Sequence, residues 1–170
     1  IGSVSFTTGA QLLNNLTYSS AGATNNNLTL GSPLTVAGTL TLTSGNLLLG
    51  ANSLVVSGSI SGGSATSYVV TNGTGALTVH NVGATAVPFA VGPSATLYHP
   101  ATINNSGTVD NFSVNVASVD PPCAPGASSV NATWDITEAI AGGSNCAITL
   151  DYTGAATGGS YSTAGAQIVH

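Results

Sequence analysis

The chain has no lysine, no arginine and no methionine in its 170 residues. Only five acids occur, Asp110, Asp120, Asp135, Glu138 and Asp151, so charged residues make up 3% of the sequence. An ordinary domain is about 25% charged. Without a single cation no phosphate can be neutralised, which excludes nucleic-acid binding. A basic patch for anionic lipid fails on the same ground. The surface must therefore be hydrated by Thr, Ser, Asn and Gly. Every trypsin site is also absent, which suits an extracellular setting. No apolar run nears the roughly 20 residues that span a bilayer, so no membrane insertion is expected. The opening IGSVSF lacks a basic region followed by an apolar one and does not read as a signal peptide. Patterned sequence at both ends reads as a processed piece of something longer.

What is present argues for a fold. Hydrophobic residues make up 42% of the chain, too many for a low-charge disordered segment. They alternate with period two almost throughout, and no sustained 3.6-residue stripe occurs. The most helix-like stretch, TEAIAG near Thr137, is too short to stand. In LTLGSPLTVAGTLTLTSGNLLLGANSLVVSGSI the aliphatics Leu28, Leu34, Leu40, Leu47, Leu54 and Ile60 recur every six or seven residues. Three such steps lead from Leu28 to Leu47, from Leu34 to Leu54 and from Leu40 to Ile60. A unit of about 20 residues with three short strands is the pattern of a three-sided β-solenoid. Asn26–Leu28 and Gly45–Leu47 fall on equivalent corners. The competing arrangement is a meander of hairpins, but the Asn-Gly and Asp-Gly turns that hairpins favour do not recur between these strands. Roughly three turns are expected, at about 4.8 Å per turn, the first of them supplied by Phe6 to Ser20.

From about Gly83 the texture changes. Prolines and aromatics appear, and NFSVNVASV and CAITLDY alternate as half-buried antiparallel strands do. The expected fold class is all-β, with a solenoid over residues 1–82 and a small antiparallel β-sandwich over residues 83–170 that caps one end. Trp134 belongs to its core. Cys123 and Cys146, both beside loop residues, are expected to form a disulfide worth about 3 kcal/mol by loop closure.

Chemistry has few residues to work with. His80 alternates with Val79 and Val82 as a solvent-facing strand residue, His99 lies in the loop-like LYHPA, and His170 is last. No H-x3-H or C-x2-C spacing exists for zinc, and no D-x-D-x-D run for calcium. No G-x-S-x-G elbow and no lysine-bearing phosphate loop occur. Asp135 and Glu138 are the one close acidic pair, placed where loop capping is the ordinary role. The expectation is a protein that is not an enzyme and needs no cofactor or metal.

A partner surface is nonetheless suggested. The outward middle residues of the triplets are Thr29, Thr35 and Thr41, then Leu48 and Val55 one turn later. Apolar residues in those places mark a packing or self-association surface. Glycans are the alternative ligand, and stacking on them would fall to Tyr18, Tyr68, Tyr98, Tyr152 and Tyr161.

GTLTLTSGNLLLGANSLVVSGSISGGSATSYVVTNGTGALT, VPFAVGPSATLYHPATINNSGTVDNFSVNV and VNATWDITEA…GGSNCAITLDY together resemble repetitive secreted surface proteins of Bacteroidetes bacteria. The similarity in style runs from about Asn14 to His170. It implies an adhesin-like, extracellular or cell-surface protein exported by type IX secretion. The sorting domain usual in such proteins is absent from this sequence, and the lack of Lys and Arg departs from the family pattern. No catalytic residues are implied. The resulting expectation is a structural module of a fibre, stalk or adhesin, partnered by copies of itself or by neighbouring modules; the alternative is a carbohydrate-binding module.

Overall fold

The computed structural model describes residues 2–22, 26–119 and 129–164. Among them the chain is all-β, with no helix. A first turn comprises β1 (Ser3–Val4), β2 (Leu12–Leu13) and β3 (Leu16–Ser19). The second comprises β4 (Asn27–Leu30), β5 (Leu34–Val36) and β6 (Thr39–Ser44), and the third β7 (Asn46–Leu48), β8 (Leu54–Val56) and β9 (Ser59–Gly62). A fourth holds β10 (Val69–Val70), β11 (Leu77–Val82) and β12 (Val87–Phe89). Then follow β13 (Val91–Gly92), β14 (Ala101–Asn105), β15 (Asp110–Ala117), β16 (Thr133–Glu138) and β17 (Cys146–Leu150).

The first side is the parallel sheet β1-β4-β7-β10-β13 and the third is β3-β6-β9. On the second side β2, β5, β8 and β11 run parallel, and β15 and β16 extend that sheet antiparallel. Strands β12, β14 and β17 form a separate antiparallel layer. The predicted repeat is the observed register: Leu28 lies beside Leu47, Leu34 beside Leu54 and Leu40 beside Ile60. These pairs are parallel, which rules out the hairpin meander.

The solenoid makes about four turns, one more than the spacing suggested. SYVVTNGTGALTVHNV supplies the extra turn, but its longer corners hide the six-to-seven-residue step. Sheets and core also cross residues 82 and 83. Strand β11 ends at Val82 and pairs with β15, while β13 closes the first side. Residues from Leu30 to Val116 share one buried cluster. In that cluster Leu34, Leu40, Leu47 and Leu54 are at most 2% exposed, as inward positions must be, while Leu28 and Ile60 at the margins are half-buried. Burial at about 25 cal/mol per Å² of apolar surface drives this stacking. Alternate residues of β14 and β15 point into the same cluster from the antiparallel layers.

Corners must satisfy backbone groups without charge, and asparagine does so. Asn15 accepts the Thr39 N–H at 2.8 Å, and Asn72 accepts that of Gly50 at 3.1 Å. Asn52 donates to the Leu30 carbonyl at 2.7 Å. Buried Asn46 accepts from Tyr68 N–H and donates to the Ala95 carbonyl. All but the Asn46–Ala95 bond, which spans a turn, join one turn to the next, so the amide-rich composition is the physical counterpart of the missing lysines and arginines. Thr71, 2% exposed, joins the solenoid to the antiparallel part: its hydroxyl accepts the Val116 N–H at 2.9 Å and donates to the Val116 carbonyl at 3.0 Å.

The expected disulfide is not seen among the described residues. Cys146 opens β17 opposite Asn105 and is a free thiol, and Cys123 lies outside the described residues. Half-burial against the core, and secondly the charge of Glu138, push its pKa up and keep it protonated.

Candidate functional site

The titratable side chains are dispersed. His80 on β11 is half-buried, and its Nδ1 lies 3.2 Å from the Ser57 hydroxyl. Glu138 accepts the Gly142 N–H at 2.7 Å, and Asp110 accepts those of Asn111 and Ile140. These carboxylates cap the loop after β16. Hydrogen bonds from Ser144 and then Gly142 lower the pKa of Glu138. Asp120 and His170 lie outside the described residues. Among the described residues no three of His, Cys, Asp and Glu come together.

Leu48 and Val55 take the outward places expected of them but are half-buried. Leu48 stands between Thr29 and Val70 on the first side and packs against the chain's own core. Part of its surface is therefore already used within the molecule. Val55 stands between Thr35 and Thr78 on the second side.

The tyrosines divide. Tyr18 and Tyr68 are buried, with their hydroxyls donating to the carbonyls of Asn26 and Ser94, so neither can stack on a glycan. Tyr98 is half-buried with its ring 5.1 Å from that of Tyr68. Burial pushes the Tyr68 hydroxyl up to about 12 and raises that of Tyr98. Tyr152 and Tyr161 alone form an outer pair, edge to face at 6.2 Å, with their hydroxyls 3.0 Å apart. Trp134 is half-buried against the core, as expected.

Between the Gly73–Ala76 corner and strands β15 and β16 lies an open cleft of about 320 Å³. Thr74, Ser113, Asn115, Asp135 and Thr137 line it. Asn115 donates to the carbonyls of Gly73 and Gly75, which leaves Oδ1 as its acceptor. Acceptors thus outnumber donors, and no aromatic ring lines the cleft.

The end of the solenoid formed by β1, β2 and β3 has a different character. Among the described residues each of these strands pairs on one side only. The carbonyls of Gly2 and Val4 accept from Thr29 and Gly31, and those of Gln11 and Leu13 accept from Thr35 and Ala37. Carbonyls alternate along a strand, so Ser3 and Leu12 turn their backbone groups to the open side. Leu12 is also 65% exposed. Val4, Phe6, Leu13 and Leu16 lie half-buried behind it.

Sequence reasoning singled out Leu48 and Val55 as a candidate partner surface and not the exposed Leu12, although QLLNNL carries an apolar doublet two turns earlier. The loop position expected for His99 in LYHPA is observed, but burial of its ring was not foreseen. The ring is 0% exposed, and neither nitrogen has a hydrogen-bond partner. The chain matches no protein-family model, no curated protein and no solved structure.

Proposed function

We propose that this chain is a non-catalytic structural module of an extracellular or cell-surface fibre or adhesin, and that it associates through the open end of its first turn with a copy of itself or a neighbouring module. The observation that carries the reading is the unblunted edge. Soluble β-proteins protect exposed edges with lysine, proline or a covering segment. Strands β1, β2 and β3 contain none of these residues, and an apolar Leu12 stands on the edge. Near-absence of charge leaves little repulsion between stacked copies. Resemblance to repetitive Bacteroidetes surface proteins supports the same setting.

Sedimentation and electron microscopy over a concentration series test this. The wild-type chain is expected to associate as concentration rises, and Leu12→Lys to stay monomeric. The substituted side chain already lies in water, so the fold should be kept. Dispersed wild-type monomers at high concentration would overturn self-association. The alternative, a carbohydrate-binding module, rests on the Tyr152–Tyr161 pair and the acceptor-rich cleft. A glycan-array signal lost in Tyr152→Ala would favour it.

A further inference from the structure

His99 joins three parts of the molecule. Its N–H donates to the Val91 carbonyl of β13 at 3.0 Å, at the end of the solenoid's first side. Its carbonyl accepts the Trp134 indole N–H of β16 at 3.1 Å. The next residue, Pro100, accepts the Asp151 N–H just beyond β17 at 3.1 Å. At this junction the imidazole is 0% exposed, with both Nδ1 and Nε2 unpartnered and the Trp134 ring centroid 6.0 Å away. A buried polar group ordinarily finds a partner, so this ring is out of place as a purely structural choice. Leucine or phenylalanine would fill an apolar site without stranding two nitrogens.

We infer that His99 is an acid-operated pin, whose protonation loosens β14 and β16 at the end of the solenoid. The neutral ring is tolerated because burying it costs little beyond its two unmet hydrogen bonds. The charged ring would bury two N–H donors with no acceptor among the described residues, a far larger cost. The groups around it do not offset that cost. Strand β13 meets this segment through the Val91 carbonyl and β16 through the indole of Trp134, while the neutral phenol of Tyr98 packs at a tilt against Tyr68. Among the described residues Asp151 is the carboxylate acting on the ring, but its side chain is exposed and already accepts the Thr153 N–H at 2.8 Å.

The direction of the pH effect follows. Burial, opposed less strongly by Asp151, lowers the His99 pKa from its ordinary 6.5. The unfolded chain therefore binds this proton first. Stability is full above about pH 6.5 and falls as pH drops toward the folded value. Asp151 and Glu138 have lowered pKa values, so their stabilisation is kept until lower pH, below about 4. The window from pH 6.5 to 5 is left to histidine.

Thermal unfolding between pH 7.5 and 5 tests the inference. The wild-type melting temperature is expected to fall by at least about 3 °C over that range, and that of His99→Leu to stay level. A level wild-type profile, or an unchanged slope in His99→Leu, would overturn it; the second result would assign the slope to another histidine. Hydrogen exchange on the wild-type chain, corrected for intrinsic rates, provides a reading that needs no variant. Protection should drop at pH 5 in residues 99–105 and 133–138 while residues 34–56 stay protected. Loss in both regions together, or in neither, would contradict local loosening of β14 and β16.

Discussion

Asn105→Ala is expected to lower the unfolding free energy by about 3–5 kcal/mol. Asn105 is 0% exposed at the end of β14. Its Oδ1 accepts the Gly107 N–H at 3.0 Å and the Asn145 N–H at 2.9 Å, and its Nδ2 donates to the Thr108 carbonyl at 2.7 Å. One amide thus closes the 105–108 turn and ties it to the segment leading into β17. Truncation strands three backbone groups, each worth about 1–3 kcal/mol when buried. Water will reach some of them at the exposed turn, hence a total below the simple sum. Neighbouring Asn104 is the control: its one bond, to Ala84, is at the surface. Asn104→Ala should lower the unfolding free energy, read by denaturant titration, by about 1 kcal/mol or less. Equal effects of the two substitutions would show that the amide at 105 is not the tie.

Gly58→Ala is expected to cost about 3 kcal/mol through a different mechanism. Glycines 38 and 58 stack at one corner of successive turns. A Cβ on Gly58 would lie well inside van der Waals contact distance of the Gly38 carbonyl oxygen, and 2.8 Å from its carbonyl carbon. The obstacle is backbone, so no rotamer change relieves it. The two turns would have to separate, loosening the Ser59–Gly38 backbone hydrogen bond. Gly159→Ala, with no atom within 4 Å of the new Cβ, should be close to neutral. Chemical denaturation of the two variants checks both values. A neutral Gly58→Ala would mean that the corner can open freely, contrary to a tightly stacked solenoid.

These two residues show what the sequence exposes and what it conceals. The register of the middle turns was legible because a repeated inward leucine leaves a periodic mark: Leu34, Leu40, Leu47 and Leu54 could be assigned by counting. Gly58 was legible only as a corner residue. Its need for zero side-chain volume comes from Gly38, a turn away. The fourth turn escaped the spacing rule because longer corners separate Tyr68 from Leu77. Alternation in NFSVNVASV identified β15, but not that it would extend the solenoid's own sheet beside β11. That ladder carries a bulge between Val79 and Val82, where Asn81 has φ of +57° and donates its N–H to the Asn111 Oδ1. The candidate site was hardest to see. LYHPA has the look of a loop, and nothing local indicates that the His99 ring would be enclosed by Trp134 from β16. Burial of a single ring is a property of long-range packing, and periodicity carries no record of it.

The solenoid register has a kinetic consequence. Each parallel pairing in the second and third turns joins residues about 20 apart, whereas Ala101 of β14 must find Leu150 of β17 and Asn105 must find Cys146. Closing a longer loop has a higher entropic cost before any contact forms, and non-local pairing slows folding. The turns around Leu40 and Leu54 can nucleate locally and add neighbours one at a time, as in other stacked repeats. Strand β17 joins only after β14 is in place. A chain emerging from synthesis can therefore form its solenoid rungs first, and receives the layer carrying Cys146 last.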